Sequence, residues 1–204
     1  MLHCGRRNEV DLLYNYLIQN ARVLDGSGAP AFPGDVAVQG GVIAAVGQLG
    51  NAPAAHVIDA AGRYLTPGFI DVHVHRHADG AIFLPDFGCS ELAQGLTTVL
   101  NGNCGLSLAP VTGPHRDELL RYLAPIVGGL PEGRDFPTMA DYRAQASTVP
   151  QRLNNGMLVG MGTLRACVAG FRDTPLTAEE YNRPVSYTHM TLPTKREANS
   201  SASA

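Results

Sequence analysis

Residues 66–77 read TPGFIDVHVHRH, an apolar run broken at Pro67-Gly68 that ends in histidines at alternate positions, His73, His75 and His77. Alternate side chains of a strand point to one face. If residues 71–75 are extended, His73 and His75 project together, near enough to bind one cation. Imidazole suits zinc, and two ligands from one strand end make half of a tetrahedral site. The same spacing also describes two partly exposed histidines at a strand end, so the surrounding sequence has to decide.

On the N-terminal side, YLIQNARVLDGSG carries a β-rich run that ends at the turn signal Asp25-Gly26. GDVAVQGGVIAAVG contains two valine-rich runs joined at Gly40-Gly41, the pattern of a hairpin. HVIDAAG adds a further short strand. This is a small β unit with few residues from which to build its own core.

On the C-terminal side the rhythm changes. GLTTVLNG (residues 95–102) is a second β-branched run, preceded by room for a short helix from Ser90. Helical spacing places Leu119, Leu120 and Leu123 on one face of HRDELLRYLAPIV. Thr138 with Asp141 three residues on forms a capping-box pattern at the start of TMADYRAQAS. GMLVGMGTLRACVAG reads as a third strand running into a Gly-rich turn. Strands alternating with helical stretches indicate βα units on a parallel sheet.

Composition limits the function classes. Apolar residues make up 45% of the chain, with 23 Gly and 14 Pro, which suits a loop-rich α/β protein. A formal net charge of −3 with no basic run argues against nucleic acid as a partner. No stretch reaches the length of a membrane span, and the first twenty residues lack the apolar core of a signal peptide. The expectation is a cytoplasmic protein. Cys4, Cys89, Cys104 and Cys167 are scattered without a CxxC pair, so reduced thiols are expected.

PGFIDVHVH closely resembles the metal-binding strand of the amidohydrolase superfamily, and the β unit with GGVIAAVG resembles its small N-terminal β subdomain. GLTTVLNGNCGLSLAP, LVGMGTLRACVAGF and PLTAEE resemble segments of the N-acyl-D-amino-acid deacylases (D-aminoacylases). The resemblance runs from about Tyr16 to Arg183.

It implies an α/β fold: a partial (β/α)8 TIM-type barrel, about the first three βα units, preceded by part of a small β-sandwich subdomain. The corresponding boundaries are 12–62 for the β subdomain and 63–184 for the barrel portion. Residues 185–204 are expected to be a non-native or disordered tail, since 185–194 resemble the translated read-through of a sequencing adapter. His73 and His75 match the two metal ligands of the first barrel strand. Cys104 matches a cysteine ligand that this subgroup uses where many relatives have a carboxylated lysine. A zinc-bound thiolate is anionic and soft, which makes the exchange chemically reasonable.

The implied activity is metal-dependent hydrolysis of the amide bond of N-acyl-D-amino acids, small-molecule substrates, with one or two zinc ions. Oligomeric state is left unassigned. Two alternatives stand beside it: a cyclic amidase of the hydantoinase or dihydroorotase type, and a non-catalytic binding protein of the same fold. Those cyclic amidases usually carry lysine where this chain has Cys104, so Cys104 is the discriminating residue.

The remaining candidates rank lower. His77 is read as a loop neighbour of the site, Asp71 as a supporting carboxylate, and Asp79 as a group that could orient a histidine. Asn103 and the glycines of NGNCG are expected to let backbone approach the metal or substrate. Arg165 is a weak candidate for facing an anionic substrate. Met161 departs from the family pattern, standing where related deacylases often carry a polar residue such as histidine; a thioether cannot act as a base.

No catalytic residue is identified. The family's aspartate follows the eighth barrel strand, and two further histidine ligands follow the fifth and sixth. A barrel needs about 250 residues, whereas roughly 120 lie between Arg63 and Pro184. The expectation is a truncated, inactive fragment with exposed strand edges.

Overall fold

The computed structural model describes residues 13–75 and 79–189. Cys4, His77 and residues 190–204 lie outside the described residues. The chain divides into two compact units, one up to Pro67 and one from Gly68.

The first unit is a five-stranded sheet. β1 (Tyr14–Val23), β2 (Phe32–Gln39), β3 (Val42–Gly47) and β4 (Ala54–Asp59) lie in the order β3-β2-β1-β4, and β5 (Tyr64–Leu65) pairs with β1. The Gly40-Gly41 turn joins β2 to β3 as an antiparallel hairpin, as the valine runs suggest. Leu17, Ala21, Val23, Val36 and Ala37 are buried. Asp35 stitches a bulge in β1 to the turn after β3: it accepts the Asn20 N–H at 3.0 Å and the Leu49 N–H at 2.9 Å. The Asn20 and Leu49 amides hold its carboxyl below the ordinary carboxylate range. Val42, Ile43, Val46, Val57, Ile58 and Tyr64 remain exposed, so this sheet keeps much of its apolar surface in water.

The division falls at Pro67 rather than at Gly62. Tyr64 and Leu65 pair with Arg22 and Val23, and the Leu24 N–H donates to the Leu65 carbonyl at 2.9 Å. These ladder bonds tie residues 63–65 to the β unit instead of to the strand that follows.

The second unit is built on three parallel strands in sequential order: β6 (Phe69–Asp71), β7 (Leu96–Asn101) and β8 (Asn154–Met157). Helix α1 (Cys89–Ala93) lies between β6 and β7. Helices α2 (Arg116–Val127) and α3 (Met139–Ala146) lie between β7 and β8, and α4 (Met161–Ala169) and α5 (Ala178–His189) follow. This is the βα alternation expected from the sequence.

Helix α2 buries Leu119, Leu123 and Val127, an i, i+4, i+8 stripe, while Leu120 is half-buried beside it. The α3 capping box forms: the Thr138 hydroxyl oxygen accepts the Asp141 N–H and the Asp141 carboxylate accepts the Thr138 N–H, both at 3.1 Å. Phe83, Phe136 and Tyr142 pack ring on ring in the core between these helices and the sheet.

Two elements differ from the sequence reading. The third strand stops at Met157, and the stretch read as a Gly-rich turn becomes helix α4 over Met161–Ala169. Its run of Leu164 and Ala166–Ala169 is buried, so tertiary packing overrides the local glycines. Helix α5 continues to His189, five residues into the segment expected as a tail. Among the described residues, no helix is long and apolar enough to cross a membrane.

Candidate metal centre

The site lies where β6 and β7 end. Strand β6 stops at Asp71, so His73 and His75 sit beyond the strand and not on it. Two bonds hold the backbone of this segment in place. The Asp71 carboxylate accepts the His73 N–H at 3.0 Å, and the Val74 N–H reaches the Leu100 carbonyl of β7 at 3.2 Å. Asp71 therefore acts as the supporting carboxylate the sequence suggests. The two imidazoles meet edge to face, with centroids 5.1 Å apart and planes at 76°.

Cys104 lies just past β7, in the first turn after Asn101. Its backbone is left-handed, with φ of 54°, unusual for a residue bearing a side chain. That turn delivers the thiol to 3.3 Å from the His73 Nε2 atom. One ligand atom each from His73, His75 and Cys104 can be chosen so that all lie within 4.8 Å of one another. This is the single such group of three or more among the described residues.

The donor set fits a borderline-soft cation. Two neutral imidazoles and a thiolate supply a pair of nitrogen donors and one sulfur, and leave a position open in a tetrahedron. The buried His75 Nδ1 atom has no hydrogen-bond partner among the described residues, an orphan of the kind that a ligand or an added hydrogen-bond partner satisfies. His73 and Cys104 are exposed and His75 is half-buried, so an ion could enter from solvent.

The surrounding polar residues hold the loops together. The Asn103 side-chain amide donates to the Val74 carbonyl at 3.3 Å and to the Leu100 carbonyl at 2.8 Å, clamping the histidine segment onto β7. Both glycines of NGNCG take left-handed backbone. Gly102 has φ of 75°, and a Cβ there would stand 1.9 Å from the Leu158 carbonyl oxygen. The close approach is to the segment leading into α4, where the Gly105 carbonyl also accepts the Thr163 N–H at 3.0 Å.

Ser107 and Thr163 complete this join. The Thr163 hydroxyl oxygen accepts the Ser107 N–H at 2.9 Å, and the Ser107 hydroxyl oxygen accepts the Gly160 N–H at 3.0 Å. Both residues are fully buried. Sequence reasoning missed them because an isolated Ser or Thr in an apolar stretch carries no spacing signal.

Asp79 does not orient a histidine: its carboxylate accepts the Leu108 N–H at 2.9 Å, and its backbone carbonyl accepts the Tyr142 hydroxyl. Arg165 is occupied, donating to the Arg172 and Thr174 carbonyls at 2.9 Å each, so it braces the loop after α4. Met161 opens α4 and is exposed. Cys167 is buried, and burial pushes its thiol up. Among the described residues Cys89, Cys104 and Cys167 are all free thiols.

The chain is similar to known proteins along most of its length. A model of the Amidohydrolase family matches residues 56–149. N-acyl-D-aspartate deacylase of Alcaligenes xylosoxydans xylosoxydans is 40% identical over 169 residues, covering 83% of this chain and 32% of that protein. D-aminoacylase of the same organism is 35% identical over 167 residues, covering 82% of this chain and 33% of that protein.

Among solved structures, N-acyl-D-glutamate deacylase from Bordetella bronchiseptica, complexed with zinc and a phosphonate inhibitor, superposes with a TM-score of 0.75. That match is at 35% identity over 88% of this chain and 36% of the other. The chain thus spans about a third of the length of the curated relatives it matches. The chain is therefore homologous to the N-acyl-D-amino-acid deacylases of the amidohydrolase family.

Proposed function

We propose that this chain carries part of the metal centre of an enzyme that hydrolyses the amide bond of N-acyl-D-amino acids, with zinc as the cation. The observation that carries the reading is the meeting of His73, His75 and Cys104 at the ends of two adjacent parallel strands. Cys104 favours a deacylase over a cyclic amidase, because the thiolate occupies the place where the latter would present a lysine. The three parallel strands of the second unit support its reading as the first βα units of a barrel, whose chemistry gathers at the C-terminal strand ends. The first unit is the corresponding part of a small β-sandwich subdomain.

In this reading His73 and His75 hold the cation as neutral imidazoles and Cys104 holds it as a thiolate. A bound zinc supplies Lewis-acid polarisation of the scissile carbonyl. Asp71 and Asn103 fix the backbone of the histidine segment, so the imidazoles meet the cation without large rearrangement. The acid–base step needs a group within hydrogen-bond reach of the reacting atoms. No carboxylate joins the three-residue cluster among the described residues.

Cobalt(II) titration tests the ligand set. The parent chain is expected to develop a thiolate-to-cobalt charge-transfer band, and Cys104→Ser to lose it; equal spectra would remove Cys104 from the site. Release of free amino acid from N-acetyl-D-aspartate, N-acetyl-D-glutamate and N-acetyl-D-methionine tests the reaction, using a polypeptide that carries this chain at the length of its relatives. Preference for the L enantiomers, or for a hydantoin, would overturn the assignment. The 204-residue chain alone is expected to turn over none of them.

A further inference from the structure

Asp79 and Leu108 stand in matching places, each four residues beyond a proposed ligand: Asp79 after His75, and Leu108 after Cys104. The Asp79 side chain joins them, its Oδ2 accepting the Leu108 N–H at 2.9 Å. Asp79 has no solvent exposure. Its backbone carbonyl is anchored by the Tyr142 hydroxyl at 2.9 Å, which ties the same point to helix α3. Its second carboxyl oxygen is buried without a hydrogen-bond partner among the described residues.

Folding stability alone would favour an amide or an apolar side chain here, since a buried, half-satisfied carboxyl is costly. The near ends of the two ligand-bearing segments are already clamped by Asn103, through the Val74 and Leu100 carbonyls. The Asp79–Leu108 bond adds a second tie, so the two ties bracket Cys104 and His75, with His73 one residue before the first.

We infer that Asp79 is a positioning residue for the metal centre, tying Leu108, four residues after Cys104, to a point four residues after His75 and so setting the separation of the Cys104 thiolate and the His75 imidazole. This rests on the metal reading proposed above. Asp79 touches no reacting atom; it acts through the Leu108 amide. A cation held across both loops strengthens the tie, and by reciprocity the tie strengthens binding of the cation.

The test compares cobalt(II) affinity of the parent chain with Asp79→Ala and Asp79→Asn, reading the charge-transfer band, with circular dichroism as the check on folding. Asp79→Ala is expected to bind about 10–100-fold more weakly, and Asp79→Asn, which keeps an oxygen for the Leu108 amide, to stay within about threefold of the parent. Hydrogen exchange of the Leu108 amide in the parent chain needs no variant and decides the matter if Asp79→Ala does not fold. That amide is expected to exchange more slowly once cobalt is bound. A folded Asp79→Ala with parental affinity, or a Leu108 amide indifferent to cobalt, overturns the inference while leaving the metal site standing. A parent chain that takes up no cobalt overturns both.

Discussion

Replacing Asp79 with asparagine removes a buried ionisable group, and the effect on stability depends on pH. Burial pushes the Asp79 carboxyl from its ordinary 3.8 up to about 7, with the Leu108 and Gly102 amides only partly opposing the rise. Between those two values the folded chain holds a proton that the unfolded chain has released. Stability falls with rising pH wherever the folded state binds more protons. The contribution is therefore complete below the unfolded value and is lost as pH climbs through about 7. The slope is about 1.4 kcal/mol per pH unit over most of that window, so about 2–3 kcal/mol disappears between about pH 5 and about pH 8.

Asparagine does not titrate and keeps the acceptor for Leu108, so Asp79→Asn escapes that loss. The other titrating groups are common to both proteins, and the difference between the two pH profiles isolates Asp79. Urea unfolding followed by far-ultraviolet circular dichroism provides the profiles; the chain has no tryptophan to report the transition by fluorescence. The variant should gain about 2–3 kcal/mol on the parent between about pH 5 and about pH 8. Parallel profiles would refute the reasoning, because the carboxyl would then have to ionise in the folded chain as freely as in water.

Two further substitutions probe the frame of the site. Gly102→Ala combines a left-handed backbone with a Cβ placed 1.9 Å from the Leu158 carbonyl oxygen, so about 2 kcal/mol or more of stability should be lost, together with cobalt affinity; denaturation and titration of one sample check both. Leu123→Ala removes a fully buried side chain from the stripe of α2, away from the proposed ligands. It should cost about 2–5 kcal/mol in urea unfolding and leave cobalt affinity of the folded chain unchanged.

What the sequence made legible follows from where each signal is local. The Gly40-Gly41 hairpin, the α3 capping box and the Leu119–Leu123 stripe depend on neighbours within a few residues, and all three form. Helix α4 was not legible, because its helicity depends on buried contacts while its sequence begins among glycines. The histidine pair was legible for an incomplete reason. Alternation predicts one face on a strand, yet the strand ends at Asp71, and an Asp71 bond and a Val74 bond preserve the arrangement.

Cys104 marks the sharper limit of spacing arguments. No periodicity places it beside His73, since a whole βα connection lies between them and its backbone is left-handed without being glycine. Only family resemblance singled it out, and the parallel register of β6 and β7 supplies the physical reason it arrives. Ile70 pairs with Thr98 and Asp71 with Val99, so β6 ends two residues short of β7, and the Val74 N–H bond to the Leu100 carbonyl carries the histidine segment along β7 toward Cys104. The identity of a ligand can be carried by a local motif, but its partner is chosen by strand register. Under the proposed reading, such a site depends on the ties that hold its loops together, Asn103 and Asp79, as well as on the ligands themselves.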